Sequence, residues 1–163
     1  MPTWTKALGA ALLVLTLTSA CSSSSDSTSR DDEGNLTESG DVNVFDLEVG
    51  DCFNQPPDGP IAEVAGVPCE QAHDNEVYAT FDIEGGSDAP FPGDAAIQTE
   101  SEKCSAELFT EYVGTPFDDS RFTATSFNPT QDGWEQSGDR EVICFALTKD
   151  RTQITGSVKD TAE

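Results

Sequence analysis

The stretch from Val49 to Val77 decides the fold, and it reads VGDCFNQPPDGPIAEVAGVPCEQAHDNEV. Cys52 and Cys69 lie on either side of a turn in which prolines fix φ and a glycine permits positive φ. Residues 76–83 then alternate apolar and polar, which is the period-two signature of a strand with one buried and one solvated face. We therefore predict a disulfide-stapled hairpin to which the later elements attach.

The remaining strands are predicted from shorter apolar patterns. Strands are indicated in residues 42–49, 64–69 and 121–127, with a final short strand around 154–158. The uninterrupted apolar run from Val142 to Leu147 predicts a central strand that is covered on both faces. Together these patterns predict a mainly antiparallel sheet of five or six strands.

One main helix is predicted between the strands. Apolar residues recur at three- and four-residue spacing from Ile97 to Tyr112, which gives a helix of about 20 residues with one buried face. Asp94 is the predicted N-cap, and Gly114 with Pro116 provides the stop. A helix against one face of an antiparallel sheet is an α+β fold, and we assign it to a small disulfide-stapled domain at residues 42–160.

The first forty residues predict export and a lipid anchor. The apolar run from Ala7 to Leu17 is shorter than the roughly 20 residues of a membrane span and suits a signal peptide at residues 1–20. The sequence LTSAC, ending at Cys21, resembles a bacterial lipobox, although Thr18 stands where leucine is usual. We predict lipidation of Cys21, since ordinary cleavage after Ala20 would leave an unpaired thiol. The lipid would hold the chain at the outer face of the cytoplasmic membrane.

The Ser- and acid-rich residues 21–41 contain almost no apolar side chain to offset their conformational entropy. They predict a disordered tether whose fully extended reach is about 70 Å.

The charge balance limits the classes of partner. The 163 residues contain 8 Lys and Arg against 31 Asp and Glu, a formal net charge of -23. Phosphate neutralisation needs clustered cations, so the balance argues against nucleic acid, and it disfavours electrostatic attraction to anionic lipid. The acidic residues indicate a solvated surface. The alternative of a divalent-cation site lacks the spacing of a calcium loop.

The four cysteines after Cys21 are Cys52, Cys69, Cys104 and Cys144, and an even number in an exported chain predicts two disulfides. Three connectivities exist. We favour one bond across the hairpin, between Cys52 and Cys69, and one bond between the helix and the central strand, between Cys104 and Cys144. A zinc site needs ligands at short spacing, whereas these cysteines are 17, 35 and 40 residues apart and the chain has one histidine, so no metal is predicted.

No residue set specifies a reaction. His73 is the one histidine, and the chain has no Gly-x-Ser-x-Gly motif to pair with it. The number of acidic residues hides any carboxylate pair. Trp134 and Arg140 are candidates for a recognition patch with His73. We favour the alternatives, which are a hydrogen-bonded structural histidine next to Asp74 and aromatic packing with a stacked arginine. We predict no catalytic residues and no cofactor.

Short motifs follow one another in order along the folded part. They are Gly50-Asp51-Cys52-Phe53, Val67-Pro68-Cys69, His73-Asp74-x-Glu76-Val77-Tyr78-Ala79, Phe91-Pro92-Gly93-Asp94, Cys104, Tyr112-Val113-Gly114, Pro129-Thr130, Trp134 and Gly138-Asp139-Arg140-x-Val142-x-Cys144. In this combination, over roughly residues 45–158, the chain resembles the actinobacterial septum formation family. The resemblance implies a secreted, lipid-anchored or membrane-tethered envelope domain that is involved with the division septum or cell wall. It supplies no catalytic residues.

The sequence thus favours a noncatalytic binding or scaffolding lipoprotein. Its expected partners are the membrane, through the lipid on Cys21, and an unidentified envelope protein or wall component. Two alternatives remain: an extracytoplasmic domain that senses a small ligand or Ca²⁺, and a hydrolase of wall polymers.

Overall fold

Six strands form one antiparallel sheet in the computed structural model of this chain, which describes Met1 and residues 28–57, 61–86 and 88–163. The strands are β1 (Gly40–Asn43), β2 (Cys52–Phe53), β3 (Glu63–Val67), β4 (Asn75–Asp82), β5 (Phe122–Phe127) and β6 (Glu141–Thr148). Their order is β1-β3-β2-β4-β6-β5, and every pairing is antiparallel. One main helical segment packs against one face, which confirms the predicted α+β class. The predicted signal peptide after Met1 and the predicted lipidation site, Cys21, lie outside the described residues.

The predicted hairpin forms between β2 and β3. Cys52 lies opposite Val67 in antiparallel register, and the Cys52–Cys69 disulfide joins the two arms with their Cα atoms 5.2 Å apart. The other side of β2 pairs with β4, where Cys52 lies opposite Glu76. This short strand is therefore the link between the hairpin and the long strands of the sheet.

A bulge interrupts the predicted alternation in β4. The register with β6 shifts between Val77 and Ala79, and these two residues pack into the apolar clusters on opposite faces of the sheet. Glu76 and Tyr78, which the alternation placed in water, are 0% and 3% exposed. The predicted half-solvated face is thus wrong for the start of β4, because the helical and C-terminal segments cover the face that carries Glu76 and Tyr78. The bulge brings Ala79 onto the same face as Tyr78.

The strand β6 separates the two apolar clusters. Val142, Cys144 and Ala146 belong to the cluster beneath the helical segment, whereas Ile143 and Phe145 belong to the cluster on the other face. Every residue of the strand after the first is buried. The prediction of a strand covered on both faces is confirmed, and each face of the sheet needs its own cover.

The predicted helix consists of two α-helices joined by a 3₁₀ turn. Helix α1 covers Asp94–Ser101, the turn covers Glu102–Ser105, and α2 covers Glu107–Val113. The hydroxyl of Tyr78 donates to the carbonyl of Cys104 in the turn. The Cys104–Cys144 disulfide, with Cα atoms 5.5 Å apart, attaches the same turn to β6. Both predicted disulfides are therefore present.

The ends of this helical segment agree only in part with the prediction. Gly114, at φ 85°, ends α2 in the left-handed conformation, as expected of a glycine stop. Asp94 is the first residue of α1 rather than its N-cap, a position that Gly93 occupies without a side-chain hydrogen bond.

Residues 28–48 cover the face of the sheet opposite the helices. Arg30 and Leu36 form an antiparallel bridge, and the Asp31 carboxylate accepts the N–H of Asn35 in the turn between them. The chain then enters β1 and a 3₁₀ turn at Val44–Asp46. The predicted disordered tether is therefore wrong from residue 28 onward, and residues 21–27 lie outside the described residues.

An ion pair attaches this segment to the hairpin. The Arg30 guanidinium donates from Nη1 and Nη2 to the two carboxylate oxygens of Asp51 at 2.6 and 2.7 Å. The Asp51 side chain is 1% exposed and that of Arg30 is 22% exposed. Hydrogen bonding to Asp51 raises the pKa of Arg30. The composition of residues 21–41 predicted disorder because it does not reveal that Arg30 forms an ion pair with the buried Asp51, 21 residues later in the chain.

Leu36 supplies the apolar contact of the same segment. It is 5% exposed and packs in a cluster with Val42, Val44 and Leu47. Gly66 in β3 makes room for it: a Cβ there would lie 2.6 Å from Val42 Cγ2 and 2.9 Å from Leu36 Cδ1. The missing side chain allows close approach of the segment to the sheet.

Removal of the Cys104–Cys144 disulfide should destabilise the domain more than removal of Cys52–Cys69. The bonds close loops with sequence separations of 40 and 17 residues. On the chain-entropy model they contribute about 4 and about 3 kcal/mol. Urea unfolding of the variants Cys104→Ala/Cys144→Ala and Cys52→Ala/Cys69→Ala would measure this order, and the reverse order would contradict it.

The substitution Arg30→Gln should lower the free energy of unfolding by about 3 kcal/mol, because it leaves the Asp51 carboxylate buried without its cation. Arg121→Gln is the matched control, since it removes an ion pair with Glu163 whose side chains are 55% and 51% exposed. Such an exposed pair is worth about 0–1 kcal/mol. Equal losses in the two variants, measured by urea unfolding, would show that Arg30 does not anchor the segment.

Candidate functional site

His73 is buried where the C-terminal segment crosses the start of β4. Its N–H donates to the Ile154 carbonyl at 3.0 Å, and its carbonyl accepts the Ile154 N–H at 2.8 Å. This isolated bridge stands where the final short strand was predicted. The Nδ1 atom lies 2.9 Å from the carbonyl oxygen of Gln71, and since a carbonyl only accepts, Nδ1 carries the proton. Nε2 is buried and has no hydrogen-bond partner among the described residues.

Glu76 is the second buried polar residue of this region. Its carboxylate accepts hydrogen bonds from the Tyr112 hydroxyl at 2.8 Å, the Ser157 hydroxyl at 2.6 Å and the Val158 N–H at 2.7 Å. Three donors suit the acceptor-only carboxylate. Through them Glu76 ties β4 to α2 and to the C-terminal segment.

The Tyr112 hydroxyl acts as a fixed donor in this network. Burial, followed by the charge of Glu76 and the hydrogen bond to it, raises the pKa of the Tyr112 phenol. Burial raises the pKa of Tyr78 in the same way. Both phenols therefore keep their protons at neutral pH and bind as donors.

Three potential ligand residues meet here although they are far apart in sequence. One ligand-type atom from each of Cys52, His73 and Glu76 lies within 4.8 Å of the other two, and all three residues are buried. Metal-ligand motifs in a sequence are recognised by short spacing, and Cys52 is not close to the other two residues in sequence. The pairing of β2 with β4 brings them together, so the sequence gives no signal of this cluster. Cys52 is bonded to Cys69, so its sulfur is in a disulfide. The amide of Asn75, which precedes Glu76 in the chain, is also buried and without a hydrogen-bond partner in the described part of the chain.

Trp134 and Arg140 do not form a surface with His73. They are 3% and 8% exposed, and the Arg140 guanidinium stacks 3.6 Å from the centroid of the Trp134 ring. The Trp134 indole N–H donates to the Ala89 carbonyl. His73 precedes β4 while Arg140 bonds to Ile83 beyond its other end, a separation of roughly 30 Å along the strand. The possible recognition patch is therefore wrong, and the favoured alternative, aromatic packing with a stacked arginine, is what the structure shows.

A polar groove opens beside the Cys52, His73 and Glu76 cluster, and we call it the disulfide groove. It has a volume of about 660 Å³ and lies between the turn at residues 31–37, the stapled hairpin and the C-terminal segment. Its lining residues are Asp31, Glu33, Asn35, Leu36, Thr37, Val49, Gly50, Cys52, Pro68, Cys69, Glu70, Tyr112, Ser157 and Lys159. Three carboxylates and one ammonium group thus face the groove, which gives it a negative charge.

The arrangement of hydroxyl, imidazole and carboxylate differs from a catalytic relay. In such a relay the histidine lies between the hydroxyl and the acid. Here Ser157 donates directly to Glu76, and His73 donates to a backbone carbonyl. The geometry suits a brace inside the domain with an acidic groove beside it.

The substitution Glu76→Gln should lower the free energy of unfolding by about 1–3 kcal/mol, because the amide N–H₂ would face a donor at a buried site. Glu70→Gln is the matched control, since Glu70 is exposed on the groove rim. Chemical denaturation of both variants would measure the difference. Equal stability of the Glu76→Gln protein and the unsubstituted chain would show that the three hydrogen bonds do not brace the site.

No helix among the described residues has the length and the apolar character that a membrane crossing needs. Two curated relatives, each called an uncharacterized membrane protein and both from Mycobacterium tuberculosis, are 35% identical to the chain over 102 residues. The match covers 58% of this chain and 22% of each relative, so the chain spans about a fifth of their length. No solved structure matches the chain.

The sequence model described as septum formation matches residues 49–163. The match begins where the stapled hairpin begins and includes the buried cluster and most of the disulfide groove. The N-terminal cover of the sheet, residues 28–48, precedes it. This chain belongs to the septum formation family.

Proposed function

We propose that this chain is a lipid-anchored envelope module that serves septum formation or wall assembly by binding a partner, without catalysis. The disulfide groove is the observation that carries the proposal. Family-pattern residues such as Cys52, Cys69 and Tyr112 form its walls, while the polar pair His73 and Glu76 is turned inward and holds the fold together. The family membership supports a role in the septum or envelope.

The charge of the groove indicates the chemistry of the partner. The carboxylates of Asp31, Glu33 and Glu70 are on exposed residues, and Lys159 is the one cation among the described residues that line the groove. Carboxylates in a concave surface concentrate cationic groups, and they form charge-assisted hydrogen bonds with ammonium and guanidinium donors. The partner that fits is an envelope protein or wall component that presents such groups.

Because residues 28–48 are folded against the sheet, the tether between Cys21 and the domain is shorter than the predicted one. Six residues separate Cys21 from Thr28, so this part of the chain spans at most about 25 Å. Asp31, in the groove wall, is at most about 35 Å from the lipidated residue by the same rule. With Cys21 anchored at the outer face of the cytoplasmic membrane, the groove stays near the membrane rather than at the 70 Å reach of a free tether.

Complementation of a deletion strain tests the binding role. The variant Glu70→Arg should fail to restore septum placement and morphology, because it reverses a charge in the groove. Glu84→Arg, an exposed substitution just beyond the other end of β4, should restore both. The two proteins must accumulate equally and unfold at the same urea concentration. Full restoration by Glu70→Arg would contradict binding through the groove, and unchanged septa in the deletion strain would contradict the septal role.

A further inference from the structure

The Cys52–Cys69 disulfide lies against two buried side chains of ligand type, His73 and Glu76. We propose that reduction of this disulfide converts the Cys52, His73 and Glu76 cluster into a zinc site. Cys69 supplies the fourth ligand, since it is covalently bonded to Cys52 in the oxidised protein and stays within reach after reduction. Two thiolates, an imidazole and a carboxylate form a ligand set that tetrahedral Zn²⁺ accepts.

The spacing of the cluster suits this ion. Ligand atoms of Cys52, His73 and Glu76 lie within 4.8 Å of one another. Atoms bound to one tetrahedral zinc are separated by about 3.3–3.8 Å, as follows from zinc–ligand distances of about 2.0–2.3 Å. Side-chain movements of about an ångström or less therefore close the site, without a change in the backbone register that links β2 and β4.

His73 is prepared as a metal ligand. Its Nδ1–H donates to the Gln71 carbonyl, which fixes the tautomer and directs the lone pair to Nε2. Nε2 is buried and lacks a hydrogen-bond partner within the described residues. A buried acceptor without a partner is costly, and a metal ion would satisfy it. This observation is independent of the clustering of the three side chains.

Glu76 retains capacity to bind. A carboxylate offers about four lone-pair positions, and three of them are used by Tyr112, Ser157 and Val158. The same donors fix the orientation of the carboxylate, as outer-shell partners do in metal sites. One position remains for the ion.

The reduction step requires a dithiol reductant, as the class of thiol–disulfide oxidoreductases provides. One thiolate of the reductant attacks Cys69, which lines the disulfide groove and is half-buried, and Cys52 leaves as a thiolate. The second thiol of the reductant then displaces Cys69 and closes its own disulfide. Two electrons pass from the reductant to the hairpin. Zinc binding keeps both cysteines as thiolates, so the two protons of the dithiol go to solvent.

The test uses the full chain with Cys69→Ser, which frees Cys52 while the Cys104–Cys144 disulfide stays closed and no reductant is needed. After zinc treatment and gel filtration, elemental analysis should find about one Zn²⁺ per Cys69→Ser chain and none in the disulfide-bonded protein. Cobalt in place of zinc should give the thiolate charge-transfer band of Cys52. The variant Cys69→Ser/His73→Asn should lose the metal, whereas Cys69→Ser/Glu84→Gln, changed at an exposed residue beyond the other end of β4, should retain it.

A second measurement covers the case in which Cys69→Ser does not fold without metal. Zinc should then restore its circular dichroism spectrum, because an ion that binds only the native state stabilises it. Zinc that is neither retained by Cys69→Ser nor able to restore its fold would overturn the proposal. Equal zinc content in Cys69→Ser and the disulfide-bonded protein would also overturn it, and so would a cobalt complex without the thiolate band.

Discussion

The burial of β6 on both faces is the constraint on which the rest of this structure depends. Successive side chains of the strand enter opposite apolar clusters, so each face of the sheet must be shielded from water. The helical segment shields one face and is attached by the Cys104–Cys144 disulfide. Residues 28–48 shield the other face and are attached by the ion pair between Arg30 and Asp51. Both covers come from outside the long strands, and a strong link helps to hold each of them in place.

A chain with a formal charge of -23 must satisfy its buried acidic groups with few cations. Asp51 uses one of them, Arg30, in a bidentate pair that is largely shielded from solvent. Glu76 instead uses two hydroxyls and a backbone N–H, an arrangement that stabilises a buried carboxylate without a counter-ion. The interior therefore needs little positive charge, and most acidic side chains remain on the surface.

The motif residues that carry the resemblance to the family lie largely inside the domain. Asp51, Cys52, His73 and Glu76 connect the hairpin, β4 and the C-terminal segment, while the adjoining disulfide groove is accessible. In this arrangement the buried motif residues maintain the shape of the domain, and the groove beside them is open to solvent. Cys69 is half-buried; it lines the groove and is bonded to Cys52 in the buried cluster. A change in the redox state of this disulfide would therefore affect the cluster.

The sequence by itself determined the α+β class, the stapled hairpin, the favoured cysteine pairs, the doubly covered β6 and the stop at Gly114. These features follow from hydrophobic period, turn residues and cysteine number, which neighbouring positions express. Only the tertiary structure decided the bulge in β4, the fold of residues 28–48, and the meeting of Cys52, His73 and Glu76. The reason is physical: whether a polar or charged side chain can be buried depends on a partner that the fold brings from a distant part of the chain.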